Sequence, residues 1–88
     1  MNKSSLSAVV WDGFDFETGN YIEIDNADIP SVVSGAVIDV YDNKDSKYHT
    51  VEIMSVVKTS DKTIIEAFDQ DANQYRTFEM EEIRLKAT

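Results

Sequence analysis

Apolar and polar residues alternate with a period of two along much of this chain, the pattern of strands that bury one face and expose the other. Phe14-Asp15-Phe16-Glu17 and Tyr21-Ile22-Glu23-Ile24-Asp25 both alternate, with Thr18-Gly19-Asn20 between them, which predicts a β-hairpin closed by a short glycine-containing loop. Residues 8–11 form a short apolar run suited to an edge strand or arm, followed by the turn signal Asp12-Gly13. Residues 26–34 read as a connection, in which Asp28 caps a single helical turn with Pro30 in its first turn. Further strands are expected over 36–41, 48–58, 63–68, 74–80 and 83–86, with a bulge near Ser55 where the alternation of Val51 and Ile53 gives way to Val56-Val57. No window sustains a helical period, and neither an internal repeat nor a low-complexity segment is evident.

Strands spaced by about ten residues imply an all-β fold, a meander or small barrel of five or six antiparallel strands with an N-terminal β-hairpin or arm and at most one short helical turn. The 88 residues support one domain, divided into a flexible tail (1–7), an acidic N-terminal arm or hairpin (8–34) and the barrel (35–86). Strand parity assigns Ile22, Ile24, Ala36, Ile38, Val40, Val51, Ile53, Ile65, Ala67, Phe78 and Met80 to the core, with Ile83 and Leu85 closing one end. Tyr21, Tyr41 and Tyr75 fall on the outer face, where they either cover an open end of the barrel or form a contact surface. Trp11 either packs onto the barrel or docks on a partner.

Residues 35–85 resemble the C-terminal part of a WYL-type domain, a small Sm-like barrel. The resemblance rests on Ile38-Asp39-Val40-Tyr41, Thr50-Val51-Glu52-Ile53, Ile64-Ile65-Glu66-Ala67-Phe68 and the closing run from Tyr75 to Ile83. Arg76, Phe78, Met80, Glu81 and Ile83 fit that family's closing pattern, whereas Glu79 and Glu82 stand where it has arginines. The tryptophan-tyrosine-leucine signature is absent. The resemblance narrows the fold to a barrel of the SH3/Sm-like type, implies a regulatory context in bacteria or phages, and makes Arg76 a candidate ligand contact. The two charge reversals argue against that family's binding of negatively charged ligands.

Charge sharpens this. The chain carries 17 acidic and 8 basic residues, a net charge of −9, which argues against duplex nucleic acid as partner. No lysine or arginine lies between Ser4 and Asn43, a span holding Asp12, Asp15, Glu17, Glu23, Asp25, Asp28, Asp39 and Asp42. The acidity is either a solubilising surface or a face for a basic partner. There is no cysteine, hence no disulfide framework and no thiolate zinc site. Residues 1–7 lack the apolar run of a signal peptide, and no stretch is long and apolar enough to span a membrane, so a cytoplasmic protein is expected.

Catalytic chemistry finds little footing. His49 is the single histidine, no nucleophile elbow is present, and the three glycines do not cluster into a phosphate loop. Asp69-Gln70-Asp71-Ala72-Asn73 begins like a calcium loop, but Gln74 and Met80 stand where glycine and glutamate belong, so a polar hairpin turn is expected. No catalytic, cofactor or metal residue is assigned. The expected function is a non-enzymatic, self-associating protein-interaction module. Its candidate contacts are Trp11, Tyr21, Tyr41, Tyr75 and Arg76, with an acidic face of Asp12, Asp15, Glu17, Glu23, Asp25 and Asp28. The alternatives are a degenerate WYL-like regulator, sensing a ligand or associated with nucleic acid, and an acidic mimic of nucleic acid that occupies a basic protein.

Overall fold

The period-two alternation does produce strands. In the computed structural model, which describes residues 8–81 and 84–86, these are β1 (Ala8–Asp15), β2 (Asn20–Asp25), β3 (Val37–Asp42), β4 (Lys47–Lys58), β5 (Thr63–Asp69), β6 (Gln74–Met80) and β7 (Arg84–Lys86). A 3-10 helix (Asn26–Ser31) links β2 to β3. The strands form one antiparallel sheet in the order β2-β3-β4-β5-β6-β1-β7, and pairing of β1 with β2 closes the first six into a barrel. Closure removes the free edges on which strands pair with other chains. None of the helices among the described residues is long and apolar enough to cross a membrane.

The core is the inner face predicted by parity, with Trp11 added and Ala36 only partly buried. The indole of Trp11 packs in that core, and its Nε1 donates to the Glu81 carbonyl. The bulge is found between Ile53 and Ser55. Residues 1–7 and Ile83 lie outside the described residues.

Three expectations are corrected. The N-terminal segment is not an arm beside a barrel: β1 and β2 are two of its staves, and β1 bonds β2, β6 and β7. The helical turn starts earlier than Asp28, with Asp25 at its cap position and Pro30 near its end. Asp12-Gly13 is not a turn but the middle of β1. Space is tight there: a Cβ on Gly13 would fall 2.4 Å from Met80 Sδ and 3.2 Å from Ile22 Cδ1, so the ends of those side chains would have to move.

A fourth correction is larger, because the barrel is built from an internal repeat. Asp15, Asp42 and Asp69 are spaced by 27 residues, and so are Tyr21, Tyr48 and Tyr75. Each interval holds one hairpin. Its register is the same every time: Trp11 faces Ile24, Ile38 faces Val51 and Ile65 faces Phe78, while Phe14 faces Tyr21, Tyr41 faces Tyr48 and Phe68 faces Tyr75. Each turn ends on a left-handed residue at the same place, Gly19, Ser46 or Asn73, with φ of 73°, 59° and 57°. The seams follow suit in two cases out of three. Val51 pairs with Asp69 across β4–β5, and Phe78 with Asp15 across β6–β1. The β2–β3 seam is slipped by two residues, so that Ile22 rather than Ile24 faces Asp42. A slip of two preserves which side chains face inward.

The cramped place of Gly13 has a measurable consequence. Its counterparts in the other hairpins are Val40 and Ala67. Gly13→Val is expected to overpack the barrel and cost about 1–3 kcal/mol in urea unfolding. Shortening Met80 to valine in the same chain should recover part of that loss; strictly additive losses would show that the two sites are not in contact.

Candidate functional site

Each hairpin places its aspartate at the last inward-facing position before the turn, so Asp15, Asp42 and Asp69 converge at one end of the barrel. Arg76 of β6 meets all three. Its Nε donates to Asp15 Oδ2 at 2.6 Å, Nη2 to Asp42 Oδ2 at 2.7 Å and Nη1 to Asp69 Oδ2 at 2.8 Å. Arg76 is only 2% exposed, and Asp15 and Asp69 are fully buried. The remaining carboxylate oxygens tie down the turns. Asp15 Oδ1 accepts from the Glu17 amide, Asp42 Oδ1 from Lys44, and Asp69 Oδ1 from both Asp71 and Ala72. One guanidinium thus joins three hairpins, and its planar fork suits three acceptors in different directions.

The positions matching Arg76 in the other hairpins are Ile22 and His49. His49 extends the network outward, with Nδ1 2.8 Å from Asp69 Oδ2 and Nε2 2.8 Å from Asp45 Oδ2. Burial disfavours charge on His49, but the hydrogen bonds to Asp45 and Asp69 outweigh it and raise its pKa. Burial also works against ionised Asp69, yet the Ala72 amide, Arg76 and His49 lower its pKa. Arg76 follows the same logic: its burial is outweighed by Asp42, Asp15 and Asp69, and the guanidinium stays charged.

Two sets of groups at this end, Asp42 with Asp45 and His49, and His49 with Asp69 and Asp71, have ligand atoms close enough to hold a cation. Their oxygens and nitrogens already bond one another, Arg76 or backbone amides, with Asp71 Oδ2 accepting from the Thr50 amide. The 69–73 segment is the polar hairpin turn expected from its sequence. Chemically this cluster is a closed lock that consumes its own donors and acceptors.

The outer surface is different. Every hairpin carries an edge-to-face aromatic pair: Phe14–Tyr21, Tyr41–Tyr48 and Phe68–Tyr75, with centroids 5.4, 5.2 and 4.9 Å apart. Tyr21, Tyr48 and Tyr75 are 55%, 53% and 68% exposed, and Tyr41 is half-buried. Each pair has a glutamate directly across the adjoining seam: Glu79 from Phe14, Glu23 from Tyr41 and Glu52 from Phe68. The acidic face is only partly as expected. Glu17 is exposed, and Asp12, Glu23, Asp25 and Asp28 are half-buried, but Asp15 belongs to the interior. Trp11 and Arg76 are likewise removed from the contact surface by burial. Tyr48 and Phe16, both exposed, were missed; the 27-residue spacing of the tyrosines points to Tyr48. A cleft of about 580 Å³ at the opposite end of the barrel is lined by Trp11, Ile29, Val32, Val56 and Lys58 among others.

Two outcomes test the lock. Arg76→Lys keeps a charge but cannot reach three carboxylates at once, and it should lower the unfolding free energy by about 3–5 kcal/mol. A loss below 1 kcal/mol would mean that the three contacts are individually dispensable. His49, with its raised pKa, contributes stability that is complete below its unfolded value of about 6.5 and fades as pH climbs through the higher folded value. The urea midpoint should therefore fall as pH rises above neutrality, and His49→Gln should flatten that limb of the profile.

Comparison with the curated proteins and with the solved structures gives no match. The family match begins at Trp11, takes in all three hairpins and ends at residue 83. The chain belongs to the family of unknown function DUF5334, over residues 11–83.

Proposed function

We propose that this protein is a non-enzymatic interaction module that binds a basic protein partner through its outer belt of aromatic and acidic side chains. The observation that carries this reading is the recurrence, in all three hairpins, of an edge-to-face aromatic pair with an exposed tyrosine and a carboxylate across the adjoining seam. Exposed tyrosines supply rigid contact area and a polar tip, and carboxylates beside them favour a cationic partner.

A second feature supports it. Asp12 and Glu23 face one another across β1 and β2, both partly exposed. Like charges directly opposed in a sheet cost stability, so the pair is unfavourable for folding and favourable for attracting a cation. Among the described residues, the buried ionisable groups Asp15, Asp42, Asp69 and Arg76 are engaged with one another. That point bears on the WYL-like alternative as well. Arg76, the basic residue on which it leaned, has its donors committed to three aspartates and is shut off from solvent.

Self-association is part of the proposal, through the exposed Val33, Val37 and Met54, of which Val37 opens β3 and pairs with Glu52 of β4, the strand that carries Met54. A mass that stays monomeric at all concentrations in light scattering removes it. For the main reading, a short peptide alternating glycine with arginine should bind in calorimetry at ~150 mM salt, where exposed charges are screened beyond about 8 Å. Tyr21→Ala, Tyr48→Ala and Tyr75→Ala combined should abolish binding. No binding even at low salt overturns the reading, whereas binding that survives loss of the tyrosines points to a charge-only mimic of nucleic acid. Asp12→Asn should raise stability by about 0.2–1 kcal/mol while weakening the peptide.

A further inference from the structure

The three aromatic pairs share a plan but not a state. Beside Phe14 and Tyr21, Glu79 is already ion-paired with Lys62, and these four residues line one shallow cleft. Here the chain supplies its own cation. The residue matching Lys62 in the second hairpin, 27 positions earlier, is Gly35, and in the first it is Ala8. Neither can do the same for the other glutamates. Among residues whose side chains are described, no lysine or arginine pairs with Glu23 or Glu52.

The pair Tyr41–Tyr48 has two carboxylates beside it. Glu23 lies across the seam from Tyr41, and Tyr48 Oη donates to Asp25 Oδ2 at 2.8 Å. The Tyr48 hydroxyl has a raised pKa, first from that hydrogen bond, with Asp25 and Glu23 both adding through their charge. Two carboxylates and two tyrosine rings therefore share one patch. The two-residue slip of the β2–β3 seam is what brings this about. In the unslipped register Asp25 alone would hold the place of Glu23, as Glu52 does beside Phe68.

We infer that Glu23, Asp25, Tyr41 and Tyr48 form the principal recognition site for an arginine side chain of the basic partner. A guanidinium stacks on an aromatic face while its edge pairs with carboxylates, a combination a lysine ammonium matches less well. The Lys62–Glu79 pair beside Phe14 is the internal counterpart of this contact, and it leaves that subsite satisfied.

This inference rests on the proposed function, and its test separates the two. The arginine-glycine peptide and its lysine-glycine counterpart are titrated into isotope-labelled protein while amide shifts are followed. The arginine peptide should shift residues around Glu23, Asp25, Tyr41 and Tyr48 first, and should bind at least about fivefold more tightly than the lysine peptide. Glu23→Gln combined with Asp25→Asn should weaken it about tenfold or more. Asp61→Asn combined with Glu66→Gln removes the same charge elsewhere and should change it less than about twofold. Shifts centred on Phe68 and Tyr75, equal loss in both double variants, or equal affinity for the two peptides would overturn this site while leaving the interaction module standing. Absence of binding by either peptide would overturn both.

Discussion

The barrel hangs on one guanidinium. Three hairpins end in aspartates that point inward, and three buried carboxylates without a cation would repel each other and forfeit their hydration. Arg76 resolves this with Nε and Nη2 on Asp15, Nη2 also on Asp42 and Nη1 on Asp69, and the second oxygen of each carboxylate is spent on its own turn. A buried ion network of this kind is a poor source of net stability compared with well-packed apolar residues. Its value here is specification. Any hairpin slipped by one residue would turn its aspartate outward and leave the others short of a partner. The arrangement therefore selects the registers that the alternating pattern alone permits only loosely.

Much of the fold was legible because its signal is local. Period-two alternation identified β2 to β6 and nearly the whole core but broke β1 at Asp12-Gly13, and the kink in the pattern at Ser55 located the bulge. The failures share a cause. Gly13, Asp15 and Arg76 were read by what such residues do in isolation: a glycine beside an aspartate turns, an aspartate lies on a surface, an arginine contacts a ligand. Their roles come from partners far away in sequence, Met80 for Gly13 and Arg76 for Asp15. The repeat escaped notice for a related reason. Asp and Tyr recur unchanged, but the inward position that meets the axis is Ile22, His49 or Arg76, three chemistries that no similarity measure equates. The candidate site was half legible: the outward tyrosines were found by parity, while their pairing with seam glutamates needed the topology.

Inside and outside divide the polar chemistry of this domain. Inside, Asp15, Asp42 and Asp69 share one guanidinium, and the shifted titrations of His49, Asp69 and Arg76 reflect that mutual engagement. Outside, carboxylates stand beside aromatic rings, and two even face one another at Asp12 and Glu23. A surface shaped for folding alone has no reason to keep that opposition. A barrel closed by the pairing of β1 with β2 is a suitable support for such a display.

The single arginine shared by the three aspartates also shows what joining three hairpins in one chain permits. A hairpin of this length is too small to bury a core alone, and three separate identical copies assembled around an axis would have to carry the same residue at each of the three axial places. Three arginines would crowd there, and three isoleucines would leave the aspartates unanswered. Joining the copies in one chain lifts that constraint. One copy can supply the cation, another the imidazole that braces it and the third an apolar wedge, so the fused polypeptide reaches a solution that a symmetric trimer of its parts cannot.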